Sequence, residues 1–283
     1  MAKAQTTEVA EVQKGALAAP AFLDGDYGMG FEGADKDSFA IPFLQILQKS
    51  SPIADEDNAK YIPGLKAGMI FNTVTQKGYD VRTAPLVIIP CAYKRSFILW
   101  GARDGDGGFK GEVTPEEMDK IIESGTIENV DGKLLVKDDK GEVNIKKSDY
   151  YADTRSHFVL AIDPESGTAS PAILSLASSQ IKASKMLLTS LQQKKVKTAA
   201  GDRTPPTFAN LVKLTTIAAS NDKGNWAGVK FELDGLVSDP QVYADAKAFY
   251  ASILGGEVKA DYSKSVDAGD SSVSGAPTEA DKF

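Results

Sequence analysis

The sequence predicts a mainly β protein with accessory helices (α+β), and three observations carry that prediction. Stretches rich in Val, Ile, Phe, Tyr and Thr recur from residue 69 to residue 233, the composition of a pleated, half-buried surface. Turn-forming pairs punctuate them, at Lys77-Gly78, Asp131-Gly132 and Lys140-Gly141. Helical periodicity is confined to three short windows, near 115–124, 179–195 and 241–254.

Residues 1–38 show neither a helical nor a strand period, so a disordered N-terminal arm is expected there. Gly28 to Gly33 spell a dinucleotide fingerprint, but no strand pattern precedes the spelling and no helix pattern follows, so it is rejected. The main domain, residues 39–256, is expected to open on the apolar stretch Ile41 to Leu47. Strands follow over Met69 to Thr75, Tyr79 to Thr83 and Leu86 to Trp100, with Pro90 marking a bulge or bend.

Residues 104–149 read as an acidic insertion with its own small structure. Thr114-Pro115-Glu116-Glu117 spells a capping box with proline at the first helical position, which predicts a helix to about Ser124. Short apolar runs at Leu134 to Val136 and Val143 to Ile145 then predict a β-meander. Strands resume at Ser156 to Asp163 and Pro171 to Ala177. A helix from Ser179, its expected cap, to about Lys195 places Ile181, the stem of Lys185, Met186, Leu187, Leu188 and Leu191 largely on one side, the expected core side. A turn at Asp202 to Pro206, strands at Phe208 to Ala218 and Asn225 to Leu233, and a helix over Gln241 to Leu254 complete the domain. Residues 257–283 offer no core and are expected to form a disordered acidic tail. Five to seven strands with one helix between them fit an oligonucleotide-binding (OB) type barrel, and other barrels and sandwiches fit the count as well.

Composition excludes several functions. One cysteine, Cys91, and one histidine, His157, allow neither an internal disulfide nor a cysteine–histidine zinc site. The chain has no GxxxxGK loop, HExxH, GxSxG or CxxC, so no catalytic residue, metal or cofactor is expected, and the protein is read as a non-enzyme. His157 falls in an apolar strand, where a hydrogen-bonded core histidine is the favoured reading. No window approaches the length of a membrane helix and no export signal is present, so a reducing cytoplasm is expected. Oligomeric state is left open.

The net charge of −7 is unevenly spread. Residues 179–230 hold nine Lys/Arg against Asp202 and Asp222, a local +7, while residues 1–64 and 234–283 each carry −5. A basic segment between acidic ends suits a polyanion binder with self-masking or partner-recruiting tails. Single strands demand cations along the backbone and rings for stacking, each stacked base contributing roughly 1–3 kcal/mol. Tyr93-Lys94-Arg95-Ser96-Phe97 supplies both, with Tyr93, Arg95 and Phe97 on one strand face as the expected ligand face and Trp100 assigned to the core. Lys223-Gly224-Asn225-Trp226 through Lys230 is the second candidate, pairing Trp226 with Lys230. Lys182 and Lys185, one helical turn apart, and Lys213 complete the expected nucleic-acid contacts.

The chain ends Glu279-Ala280-Asp281-Lys282-Phe283. A charged tail tipped by a bulky apolar residue resembles the C-terminal tip of the single-stranded-DNA-binding proteins of bacteria and bacteriophages, although Lys282 departs from their wholly acidic tip. Ser179-Gln180-Ile181-Lys182-Ala183-Ser184-Lys185, and Thr204-Pro205-Pro206-Thr207 through Ser220 to Trp226, resemble blocks of phage-encoded proteins, some described as single-stranded-DNA-binding. The resemblance covers about residues 40–235 in style. It implies an OB-fold accessory protein of phage replication or recombination, working in the bacterial cytoplasm and recruiting replication or recombination proteins through Asp281 and Phe283. A strand-annealing recombination protein, and a virion structural or host-interaction protein without a nucleic-acid role, remain the alternatives.

Overall fold

A computed structural model describes residues 22, 25–26, 29–34, 38–102, 104, 107–222 and 224–265. Most of the expected N-terminal arm, Lys223, Asp281 and Phe283 lie outside the described residues. The described chain is mainly β with three helices, and its strands pair antiparallel.

Three short strands, β1 (Leu44–Ile46), β2 (Ile70–Asn72) and β3 (Gly78–Tyr79), make a small sheet of their own. The main sheet is built on β4 (Leu86–Trp100) paired along its length with β8 (Tyr150–Ile162). The other edge of β8 holds β9 (Ala169–Ala177). The first residues of β4 pair with β12 (Asn210–Asn221), which forms a hairpin with β13 (Gly224–Leu236). β4, β8 and β9 are thus consecutive neighbours, and β12 returns beside the first of them, the order of a Greek key. Helix α2, Ile181–Gln193, lies in the long connection from β9 to β12.

The insertion fills the turn between β4 and β8. It comprises β5 (Phe109–Val113), α1 (Pro115–Glu123), β6 (Ile127–Val130) and β7 (Lys133–Val136). The Thr114 capping box forms as its spelling predicts, the Thr114 hydroxyl accepting from Glu117 N–H while the Glu117 carboxylate accepts from Thr114 N–H. Asp131 and Gly132 both take positive φ, which makes the two-residue turn that joins β6 to β7. The expected strand at Val143 to Ile145 is absent. Asp138, Asn144 and Ser148 capture neighbouring backbone N–H groups with their side chains, and this segment becomes a run of turns.

Three other expectations need correction. A ribbon of β10 (Val196–Thr198) and β11 (Gly201–Arg203) stands where a turn was expected. α2 begins at Ile181 after a 3-10 turn rather than at a Ser179 cap, and Met186 is exposed rather than core-facing. After the third helix, α3 (Pro240–Leu254), the chain stays packed well past residue 257, and Tyr262 is buried.

The sheet has two cores. Leu86, Ile88, Val159, Leu174, Val212, Leu214 and Val229 meet Leu187 and Leu191 of α2 together with β1 and β2 on one face. Ile89, Cys91, Ile98, Phe158, Leu160 and Ile173 meet Phe208, Phe249 of α3 and Tyr262 on the other. β4 serves both by the alternation of its side chains, and a bulge at Cys91, where the register passes from Pro90–Val159 to Ala92–Phe158, switches which residues face which core. Before the bulge Ile89 and Cys91 face the second core, and after it Ile98 and Trp100 do. The extra residue changes the parity, and it sits beside Pro90, where a bulge or bend was expected.

No strand pairing closes the sheet into a barrel among the described residues. Residues 41–48 lie across the gap between its edges instead. Ile173 N–H of β9 donates to Pro42 O (2.9 Å), and the Gln48 carboxamide accepts from Ala227 N–H of β13 (2.8 Å) and donates to Ala227 O (3.1 Å).

His157 occupies the first core face, 1% exposed, with Nε2 2.7 Å from Ser184 Oγ on α2. Burial pushes its pKa down to about 4. The unfolded chain therefore binds a proton that the folded chain refuses between about pH 6.5 and 4, and stability falls as pH falls through that window. Relative to His157→Gln, the native protein should lose roughly 3 kcal/mol more between pH 7 and pH 4. Denaturant titrations at the two pH values measure this, and equal losses in both chains would contradict it.

Candidate nucleic-acid interface

Side chains alternate along β8, so Asp153, Arg155 and His157 share the face of the first core while Ser156 and Phe158 share the other. The register of β4 places Tyr93 opposite His157, Arg95 opposite Arg155, and Phe97 opposite Asp153. The Tyr93 ring lies 5.3 Å from the His157 ring and is 38% exposed. Arg155 Nη1 donates to the Tyr93 hydroxyl (3.0 Å) and Nη2 to Asp153 (2.8 Å). Arg95 donates through Nε and Nη2 to the two Asp153 oxygens (3.1 and 2.9 Å) and lies 5.2 Å from the centre of the Phe97 ring. Two guanidiniums thus share one carboxylate beneath an exposed phenol. Arg155 Nε, buried, has no acceptor. The cluster carries a net positive charge, moderated by Asp119 of α1.

The expected ligand face therefore divides. Tyr93 and Arg95 reach solvent, whereas Phe97 is buried beneath Arg95. Trp100 lies on the opposite face in the second core, against Phe109 and Tyr262.

α2 adjoins this ledge. Ser184 is the point at which α2 meets His157, and Lys182 and Lys185 leave the helix within one turn of it, both exposed. Lys197 and Arg203 extend the exposed cations onto the β10–β11 ribbon. Among the described residues none of these four pairs with a carboxylate.

The remaining expected contacts lie elsewhere. Lys94 is on the second-core side of β4 and pairs with Glu112 of β5 (2.9 Å). Val212, Leu214, Ala227 and Val229 face the first core, so Lys213, Trp226 and Lys230 project from the opposite side of the β12–β13 hairpin. There Lys213 pairs with Asp234 and Lys230 with Glu232, each at 2.5 Å. The ledge is made by Tyr93 and Arg95 with Arg155, which the sequence did not single out, and α2, packed beside it through Ser184, carries the exposed Lys182 and Lys185. The signal for Arg155 was the alternation Asp153, Arg155, His157, hidden because the apolar strand pattern begins only at Ser156.

Among the described residues no group of three or more His, Cys, Asp or Glu side chains is placed to hold a metal ion. Burial raises the Cys91 thiol to about 12, which removes it as a thiolate nucleophile. No helix among the described residues is long and apolar enough to cross a membrane.

A protein family described as Pam3 phage gp34-like protein matches residues 12–259. The chain belongs to this family. The gp34-like match runs from the acidic N-terminal region through α3, so the ledge, α2 and the first core fall within it, as does the second core apart from Ala260 and Tyr262. No curated protein and no solved structure matches the gp34-like chain.

Asp153 sets how much of the ledge charge is free. Asp153→Asn is expected to keep the fold at a cost of roughly 1–3 kcal/mol, because Arg95 is exposed but the largely buried Arg155 loses its charged partner. It is also expected to raise the salt at which the protein elutes from immobilised heparin. Unchanged elution would mean that polyanions do not reach Arg95 and Arg155.

Proposed function

We propose that this phage protein binds single-stranded DNA without sequence preference during phage replication or recombination, in the host cytoplasm, and recruits partners through its tail at Asp281 and Phe283. The observation that carries the reading is the ledge. An exposed tyrosine lies beside two arginines, and α2, which meets the neighbouring His157 through Ser184, carries two exposed lysines that have no carboxylate partner among the described residues. A phenol face accepts a stacked base of any identity, and the neighbouring cations follow a phosphate backbone. The Greek-key order of β4, β8, β9 and β12, the partly open edge between β9 and β13, and α2 before β12 support an OB-type reading of the sheet.

One observation favours a virion structural or host-interaction role instead. Lys213 and Lys230 are neutralised by carboxylates and project from the opposite side of the sheet to the ledge, so the basic segment is spread over several surfaces.

Fluorescence anisotropy of labelled oligo-dT, titrated against the full chain over a range of salt, separates the two readings. DNA binding predicts a preference for the single strand over duplex and an affinity that falls with salt. Lys182→Ala with Lys185→Ala should flatten that dependence, by roughly 0.7 in log–log slope for each phosphate left without its lysine. Absence of binding at low salt, or equal affinity for duplex, refutes the DNA reading and leaves the interaction role.

A further inference from the structure

Tyr262 ends the described packing on the second face of the sheet, 2% exposed. Its ring stacks on Phe109 (5.9 Å, 28°), meets Trp100 edge-on (6.4 Å, 90°) and touches Phe43 (5.4 Å). Its hydroxyl hydrogen-bonds Ser156 and lies beside the hydroxyls of Ser175 and Ser96. Ser156 and Ser175 are directly opposite one another on β8 and β9, and Ser96 stands on the adjoining β4. A ring-sized slot with aromatic walls and a hydroxyl floor is thus filled by the chain's own side chain. Lys94 projects from the same face of β4 as Ser96.

Tyr262 is the one buried residue between 258 and 265 and anchors the segment. Between residues 258 and 265 the backbone bonds are local, Lys264 N–H to Asp261 O and Ser265 N–H to Tyr262 O, and Asp261 binds Ser263 and Lys264 within the same turn. Val258 and Ala260 pack only partly against the body. The hydrogen bonding that ties this segment to the sheet runs through one phenol hydroxyl.

We propose that the slot is a nucleobase site closed by Tyr262, which a base of single-stranded DNA enters when the 258–265 segment lifts. The proposal rests on the single-stranded-DNA reading above and adds a second contact on the far face of the same two strands. Stacking on Phe109 and Trp100 replaces stacking by the phenol. Serine hydroxyls rotate to donate or accept, so the floor satisfies the polar edge of any base. Closure by Tyr262 lowers the apparent affinity by the fraction of chains that stand open.

The test uses the full chain in a Trp226→Phe background, which leaves Trp100 as its single tryptophan, with oligo-dT as probe. Anisotropy of the labelled strand reports total binding and Trp100 emission reports the slot. Tyr262→Ala should bind about tenfold more tightly, with Trp100 quenched by the DNA. Tyr262→Phe, which keeps the ring and loses the hydroxyl, should show a smaller gain in the same direction, and it decides the matter if the alanine variant does not fold. Binding of equal strength in all chains with Trp100 unchanged overturns the slot while leaving the DNA reading standing. Binding only in the Tyr262 variants, with Trp100 quenched, supports the slot and overturns the ledge as the main site. No binding in any chain overturns both.

Discussion

Pairing of β4 with β8, from Val87 opposite Ile162 to Trp100 opposite Tyr150, is the constraint on which the rest of the molecule depends. Every other strand of the main sheet attaches to this ribbon or to a strand that does. The bulge at Cys91 determines which residues of β4 look to which core, and Thr207 Oγ1 donates to the Cys91 carbonyl (3.2 Å), tying the chain ahead of β12 to the bulge. Helix α2 is fixed to the ribbon through His157 and Ser184, and the C-terminal segment through Ser156 and Tyr262. A one-residue slip of β8 would exchange these two partners and turn Arg155 into the second core.

Much of this architecture was legible because it follows from local chemistry. The bounds of β4 came directly from its run of Val, Ile, Phe and Trp, and its bulge from Pro90. α1 followed from the Thr114 capping box, and the turn between β6 and β7 from Asp131-Gly132. What was illegible depends on pairing and packing that composition does not carry. Apart from Val196, β10 and β11 contain only Lys, Thr, Gly, Asp and Arg, a composition that reads as loop until the two strands pair. Tyr262 stands in a Ser-, Ala- and Asp-rich segment whose single large ring is buried only because β4, β8, β9 and Phe109 assemble a slot for it. Met186 satisfies the helical period yet faces solvent, because the core side of α2 is set by Ser184, Leu187 and Leu191.

The candidate site was legible in kind more than in membership. Tyr93 and Arg95 were identifiable as a ring and a cation on one strand face, but Phe97 is claimed by the packing beneath Arg95. Net charge by segment located the exposed lysines of α2 without revealing that Lys213 finds Asp234 across the β12–β13 hairpin and Lys230 finds Glu232 two residues along β13. Carboxylates just beyond the counted segment consume charge that composition counts as free. Arg155 shows the converse, a cation inside a strand that becomes prominent only when the register sets it beside Tyr93 and Asp153. In this phage gp34-like chain the proposed DNA contacts are thus those left over after the ribbon has satisfied its own electrostatics.

Hydrogen–deuterium exchange of the full chain with and without oligo-dT tests that account most directly, because it reports on each strand separately. Protection by the oligonucleotide is predicted over residues 92–96 of β4, residues 153–157 of β8 and the first turn of α2. No change is predicted in the turns of residues 138–148. Protection centred instead on residues 226–234 of β13, or none at all under saturating oligo-dT, would contradict it.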